Sequence, residues 1–206
     1  GRPGSDLTFF PWSRLAPGAT NGLHFLNAQV GTAVGPGGGI WRTTDGGANW
    51  TKQGGATVSG TLETVQFVSA TTGHTAGEGE SWYDGWENIN NVYLRRTTDA
   101  GRTWAPPAAT PPPSYFLFGG ALPGMKLRAL DFLDPATGWI VWSCYNGFYL
   151  EGCLAHTTDG GASWTSTPGS GSVAEALDMV DVNTGWLAQP GGVSRTTDGG
   201  ETWQPS

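Results

Sequence analysis

Four segments of the chain repeat one order of apolar and polar positions. They read "LHFLNAQVGTAVG" from Leu23, "VQFVSATTGHTAG" from Val65, "LDFLDPATGWIVW" from Leu130 and "LDMVDVNTGWLAQ" from Leu177. The four align without gaps. Phe25, Phe67, Phe132 and Met179 share one column, and Gly31, Gly73, Gly138 and Gly185 share another. A short alternating run, a turn ending at the glycine and a second short run predict two antiparallel strands, A and B. No segment sustains a 3.6-residue period, so almost no helix is expected.

A second repeat follows each pair. "RTTDGGANW" spans 42–50, "RTTDAGRTW" 96–104, "HTTDGGASW" 156–164 and "RTTDGGETW" 195–203. A catalytic carboxylate is needed once, whereas a repeated fold needs its turn in every unit. Asp45, Asp99, Asp159 and Asp198 are therefore expected to accept hydrogen bonds from backbone N–H groups just downstream, as Asx-turns do. Gly47, Gly101, Gly161 and Gly200 would supply positive φ. Thr43, Thr97, Thr157 and Thr196 suit the end of a strand C. Trp50, Trp104, Trp164 and Trp203 open a strand D and fold back as apolar plugs.

Each unit thus reads as four antiparallel strands, and radial repetition of such units is a β-propeller. The expected fold is all-β: one propeller domain over 1–206 with units at about 20–50, 62–104, 127–164 and 174–203. The segment "PWSRLAP", 11–17, resembles the strands after the box tryptophans and is expected to close the ring beside "TWQPS".

Composition agrees with turns and plugs: 34 Gly, 14 Pro and 11 Trp in 206 residues. The net charge is −7 and no Lys/Arg cluster occurs, so a nucleic-acid footprint is missing. No apolar run is long enough to span a bilayer. The chain opens on Gly1 without a signal-peptide core, which reads as a processed chain or a fragment. Cys144 and Cys153 enclose eight residues between two expected strands, a spacing that suits a disulfide. That bridge would place the protein in an exported compartment, periplasmic, lumenal or extracellular. The alternative is a pair of buried thiols; two cysteines are too few for a structural zinc site.

The pattern Ser/Thr-x-Asp-x-Gly-x-x-Trp is similar to the Asp-box (BNR repeat) of sialidases, xyloglucanases and sortilin-type domains. The longer unit "F-x-D-x-x-x-G-W … TTDGG-x-x-W" most resembles the photosystem II stability/assembly factor-like proteins, over roughly residues 20–204. That resemblance implies a propeller serving photosynthesis as an assembly factor or accessory subunit. Asp-boxes occur in enzymes and in binding proteins alike, so the motif points to fold more than to function.

Unit lengths point to one end of the molecule. Gly31 to Thr43 and Gly185 to Thr196 are short, whereas Gly73 to Thr97 and Gly138 to Thr157 carry extra segments in the B–C loop. A further insertion follows Trp104 in a D–A loop. In an up-and-down blade these connections lie opposite the Asp turns. They carry Trp82, Tyr83, Asp84 and Trp86; Tyr115, Phe116 and Phe118; and Tyr145, Phe148 and Tyr149. Aromatic loops on one face of a rigid scaffold suit a protein-binding surface. Packing on one another as a cap is the other reading.

Catalytic groupings are weaker. Arg42, Arg96 and Arg195 stand at equivalent points in separate units, with His156 in the same slot, and are expected along strand C as solvated or ion-paired side chains. Asp131 and Asp178 share a strand A column with His24 and Gln66. They form a candidate carboxylate pair for a glycosidase; a polar strand position hydrated in the central channel is the other reading. His24, His74 and His156 fall in different columns and suggest no metal site, and no cofactor motif occurs. The leading expectation is a non-enzymatic exported propeller with a protein partner. A lectin or a glycoside hydrolase is the alternative, with a glycan as its ligand.

Overall fold

A computed structural model describes residues 20–53, 60–79, 82–83, 88–89, 92–105, 126–145, 150–167 and 173–206. Every regular element among them is a strand. The first blade holds β1 (Gly22–Phe25), β2 (Gly31–Gly35), β3 (Gly39–Thr43) and β4 (Thr51–Lys52), hydrogen-bonded in chain order. The second holds β5 (Gly60–Phe67), β6 (Gly73–Gly79) and β9 (Val92–Thr97), with a small hairpin of β7 (Trp82–Tyr83) and β8 (Asn88–Ile89) between them. Among the described residues its fourth strand is represented by one bridge, Arg96 to Ala105. The third holds β10 (Leu127–Phe132), β11 (Gly138–Tyr145), β12 (Leu150–Thr157) and β13 (Thr165–Thr167). The fourth holds β14 (Ala176–Met179), β15 (Gly185–Gln189), β16 (Gly192–Thr196) and β17 (Gln204–Pro205). The expected all-β blades are present; among the described residues three are four-stranded and the second shows a three-stranded sheet.

The recurring glycine has a different cause from the turn proposed for it. It opens strand B directly opposite the aromatic column: Phe25 faces Gly31, Phe67 faces Gly73, Phe132 faces Gly138 and Met179 faces Gly185. The ring, or the Met179 sulfur, lies over the glycine, and a Cβ there would run into it. The box tryptophan then meets the same ring edge-on. Phe25–Trp50, Phe67–Trp104 and Phe132–Trp164 lie 6.1, 5.8 and 6.2 Å apart at 84°, 80° and 87°. This T-shaped geometry suits the aromatic quadrupole. Trp104 is buried, while Trp50, Trp164 and Trp203 are half-buried.

The core lies between blades. Val34 and Ile40 pack on Leu62, Val65, Phe67 and Trp104. Ala76 and Leu94 pack on Leu130, Phe132, Ile140 and Trp142. Trp139, Val141 and Leu154 pack on Met179 and Leu187. In β11, Trp139 and Val141 therefore face the fourth blade, and Ile140 and Trp142 face the second. Burial on both faces explains the continuous apolar run "WIVW". Inner strand β5 packs on β1, β10 on β5 and β14 on β10. Among the described strands the series stops there, since β14 has no such packing against β1. Segment 11–17, expected to close the ring, lies outside the described residues.

Candidate functional site

Each box turn is a closed hydrogen-bond set. Thr43 Oγ1 donates to Asp45 Oδ1 at 2.7 Å and accepts from Gly47 N at 2.9 Å. Asn49 then donates its backbone N to Asp45 Oδ1 (2.9 Å) and its side-chain Nδ2 to Oδ2 (2.8 Å). The other three boxes repeat this with a hydroxyl: Thr103, Ser163 and Thr202 each donate to the second carboxylate oxygen at 2.6 Å. Both oxygens of every box Asp are occupied within its own turn. The hydrogen bonds hold the carboxyls of Asp45, Asp99, Asp159 and Asp198 down at about 2. Both residues after the Asp take positive φ: Gly46 and Gly47 at 73° and 92°, and Ala100 and Gly101 at 61° and 79°. The expectation had placed only the second there.

The donor just before each Trp went unassigned in the sequence, although all four residues in that column can donate from a side chain. A further column was also unassigned. Asn27, Ser69, Asp134 and Asp181 each accept two backbone N–H bonds and close the A–B turn, at 2.7–2.9 Å in the three carboxamide or carboxylate cases. The two turns sit at one end of each blade, joined by Gly46 N to Gln29 O, Ala100 N to Thr71 O, Gly160 N to Ala136 O and Gly199 N to Asn183 O.

In the first two blades the half-buried arginines of this column reach backbone carbonyls, and among the described residues neither makes an ion pair. Arg42 Nε donates to Ala100 O at 2.9 Å, and Arg96 Nη2 donates to Pro135 O at 3.3 Å. Each ties its blade to a turn of the next. His156, in the same slot, stacks on Trp139 at 4.5 Å. Arg195, in the last blade, lies 5.7 Å over the Trp186 ring.

Asp131 is likewise engaged between blades. Gln66 Nε2 donates to its Oδ1 at 2.9 Å, and Met179 N donates to its Oδ2 at 2.7 Å. Gln66 Oε1 in turn accepts from Phe132 N at 2.8 Å. Asp178 is exposed. In the second and third blades the strand A column thus joins the inner strand to the backbone of the next, whereas His24 of the first blade lies against the Phe67 ring at 5.6 Å. His74 is buried and stacked on Phe132 at 3.6 Å, and desolvation drives its pKa down to about 3.

The binding candidates are described only in part. Trp82 and Tyr83 form β7, and Tyr145 ends β11. Strands β11 and β12 pair from Gly138–Thr157 out to Tyr145–Leu150, whereas β2 and β3 end at Gly35–Gly39. The backbone therefore carries Tyr145 beyond the blade body, away from the box turns. Asp84, Trp86, Tyr115, Phe116, Phe118, Phe148 and Tyr149 lie outside the described residues. Cys153 stands on β12 opposite Trp142 of β11. A cleft of about 390 Å³ opens at the box end between the first two blades, lined by His24, Asn27, Arg42, Phe67, Ser69 and Ala100. Among the described residues no group of His, Cys, Asp and Glu is placed to hold a metal ion, and no helix is long and apolar enough to cross a membrane.

Comparison with known proteins adds four likenesses. The BNR/Asp-box repeat model matches residues 194–205. The photosystem II assembly lipoprotein Ycf48 of Synechococcus sp. (strain CC9902) is 28% identical over 123 residues, 57% of this chain and 32% of that protein. The chain thus spans about a third of the length of the curated relative it matches. A GH74 xyloglucanase from Xanthomonas campestris is similar in fold, with a TM-score of 0.59 at 14% identity over 85% of this chain and 26% of that one. A structure described as YCF48 bound to D1 peptide has a TM-score of 0.49 at 22% identity, over 71% of this chain and 40% of that one. With its four box turns, its radially packed blades and these likenesses, the chain is an Asp-box β-propeller that resembles the photosystem II assembly factors.

Proposed function

We propose that this chain is a non-enzymatic, exported propeller that binds another protein and acts as an assembly factor or accessory subunit of a larger complex. The sequence likeness to the Synechococcus assembly lipoprotein carries this reading. The longer B–C connections of the second and third blades support it, since loops that elaborate one end of a rigid scaffold commonly carry function. The partner would sit on that end and meet Trp82, Tyr83, Trp86, Tyr115, Phe116, Phe118, Tyr145, Phe148 and Tyr149. Asp84 beside them favours a partner with a basic rim, mainly through association rate. The exported location rests on the proposed pairing of Cys153 with Cys144, the only other cysteine.

Capture of the partner from the source organism by the tagged chain tests the reading. The double variant Trp82→Ala/Trp86→Ala should lose the partner, because truncating an aromatic hot spot costs about 2 kcal/mol or more per residue. Thr44→Ala and Glu201→Ala, exposed at the box end, should bind as the parent does. Retained capture by the double variant, or robust binding or turnover on a glycan array and hydrolase panel, would overturn it. Loss of capture in a box-end variant would move the site to the box end.

A further inference from the structure

At two of the junctions between blades, side chains fill the space near the box turns. Gln66 and Asp131 reach from strand A to Phe132 N and Met179 N of the next blade. From strand B, the His74 ring stacks on Phe132, and Trp139 Nε1 donates to Gly199 O at 2.8 Å.

At the junction of the first two blades the same columns hold other residues. His24 stands in place of the carboxamide and carboxylate and lies against the Phe67 ring. Thr32 stands in place of the two rings. It is buried, and a Cβ on Gly101 would come within 3.1 Å of its Oγ1. Thr32 occupies far less space than a His or Trp ring, and the cleft of about 390 Å³ opens at this junction. Both walls belong to blades packed on one another, so neither wall is an end of the array.

The lining joins an apolar floor to a set of donors. Leu26, Val30, Phe67 and Val68 are the apolar part, and no Asp or Glu is among the described lining residues. Asn27 Oδ1 already accepts from Gln29 N and Val30 N, and Ser69 Oγ from Thr71 N and Thr72 N. These two side chains are left with an N–H2 and an O–H to donate. Arg42 uses Nε on Ala100 O, and its two Nη groups have no acceptor among the described residues. Burial holds the His24 pKa below its ordinary value, so its ring is neutral at neutral pH. Arg42 is then the one charge on the lining. A few convergent polar groups in a mostly apolar concavity of this size mark a small-molecule site.

We propose that this cleft binds a small amphipathic monoanion, with a carboxylate head on the Arg42 Nη groups and an aliphatic tail along Leu26, Val30, Phe67 and Val68. The two Nη groups form a fork that matches two carboxylate oxygens. One negative charge balances one cation, whereas a phosphate dianion would leave a charge unpaired in a partly desolvated site. Asn27 Nδ2 and the Ser69 hydroxyl supply further donors to the head. The site lies at the opposite end from the partner face proposed above and stands without it.

Titration of the chain with octanoate, kept below its micelle-forming concentration, tests the proposal by calorimetry and proton–nitrogen correlation NMR. Octanoate should bind saturably and shift the amide signals of Val30, Ser69 and Ala100. Acetate carries the head without the tail, and octanol the tail without the head. Each should bind at least about tenfold more weakly than octanoate. Arg42→Gln removes the charge and should weaken octanoate at least about tenfold while leaving octanol unchanged. Arg42 also ties the first blade to the second, so Val30→Phe, which narrows the cleft and leaves Arg42 in place, is the second variant. It should lose octanoate as well, and thermal melts establish that both variants fold. A parent without saturable binding overturns the proposal, as does octanol binding that equals octanoate binding. Unchanged octanoate affinity in either folded variant, or shifts confined to residues away from the cleft, overturns it too.

Discussion

At the residue scale, the box aspartates are acceptors with both carboxylate oxygens already engaged within their own turns. Folding lowers their pKa from 3.8 to about 2, through the Asn49 N–H for Asp45 and foremost the hydroxyls of Thr103, Ser163 and Thr202 for the others. A depressed folded-state pKa gives stability that is present above the unfolded value and lost as pH falls through the folded one. The box contribution should therefore fade between about pH 4 and pH 2. His74, lowered from 6.5 to about 3 by burial, acts in the same direction over a higher window, because the unfolded chain takes its proton first. Urea melts across pH should show stability declining below about pH 6.5 and more steeply below about 4. In His74→Phe the upper part should flatten, and in Asp159→Ala the deficit seen at neutral pH should shrink toward pH 2. A deficit that stays constant with pH would contradict this role for Asp159. The box was legible because four copies align in one chain. The hydroxyl or amide before each Trp was equally visible as a column, but its partner is set by how the turn folds back.

At the element scale, strand positions followed from the aromatic and glycine columns and from the box threonines. The β7–β8 hairpin was not foreseen, because the loop that holds it has no counterpart in the other units to align with. The B–C hairpin of the third blade carries the cysteines. In its register Cys144 pairs with Glu151 and Cys153 with Trp142, so the two cysteines lie diagonally on adjacent strands. We expect them to be bonded to one another. Mass spectrometry of the unfolded, unreduced chain should find the mass lower by two hydrogens and no thiol open to alkylation. Two alkylated cysteines would refute the bridge and remove the basis for an exported location. Reduction should cost no more than about 3 kcal/mol, the scale for a loop of some 15 residues, because the closed loop here is shorter.

At the scale of the whole molecule, the blades are held by columns whose meaning appears only when one unit is stacked on the next. Asp131 and Asp178 look equivalent in the sequence and would be equivalent in a catalytic pair. Stacking separates them. Asp131 is half-buried between blades and accepts from Gln66 Nε2 and Met179 N, while Asp178 is exposed on the last blade. A single chain carries no label that says which unit is last in the stack, so this difference was not legible. Asp131→Ala should destabilise the protein by about 2 kcal/mol, since it strands a backbone N–H and a carboxamide that bonded a charged acceptor. Asp178→Ala should stay within about 0.5 kcal/mol of the parent, as exposed substitutions usually do. Asp131→Asn should fall between, because the amide keeps one acceptor and turns a donor toward one of the two partners. Chemical denaturation of the three variants decides the matter. Equal effects of Asp131→Ala and Asp178→Ala on stability, or a shared loss of sugar turnover, would make the two carboxylates a pair rather than one strut and one open end.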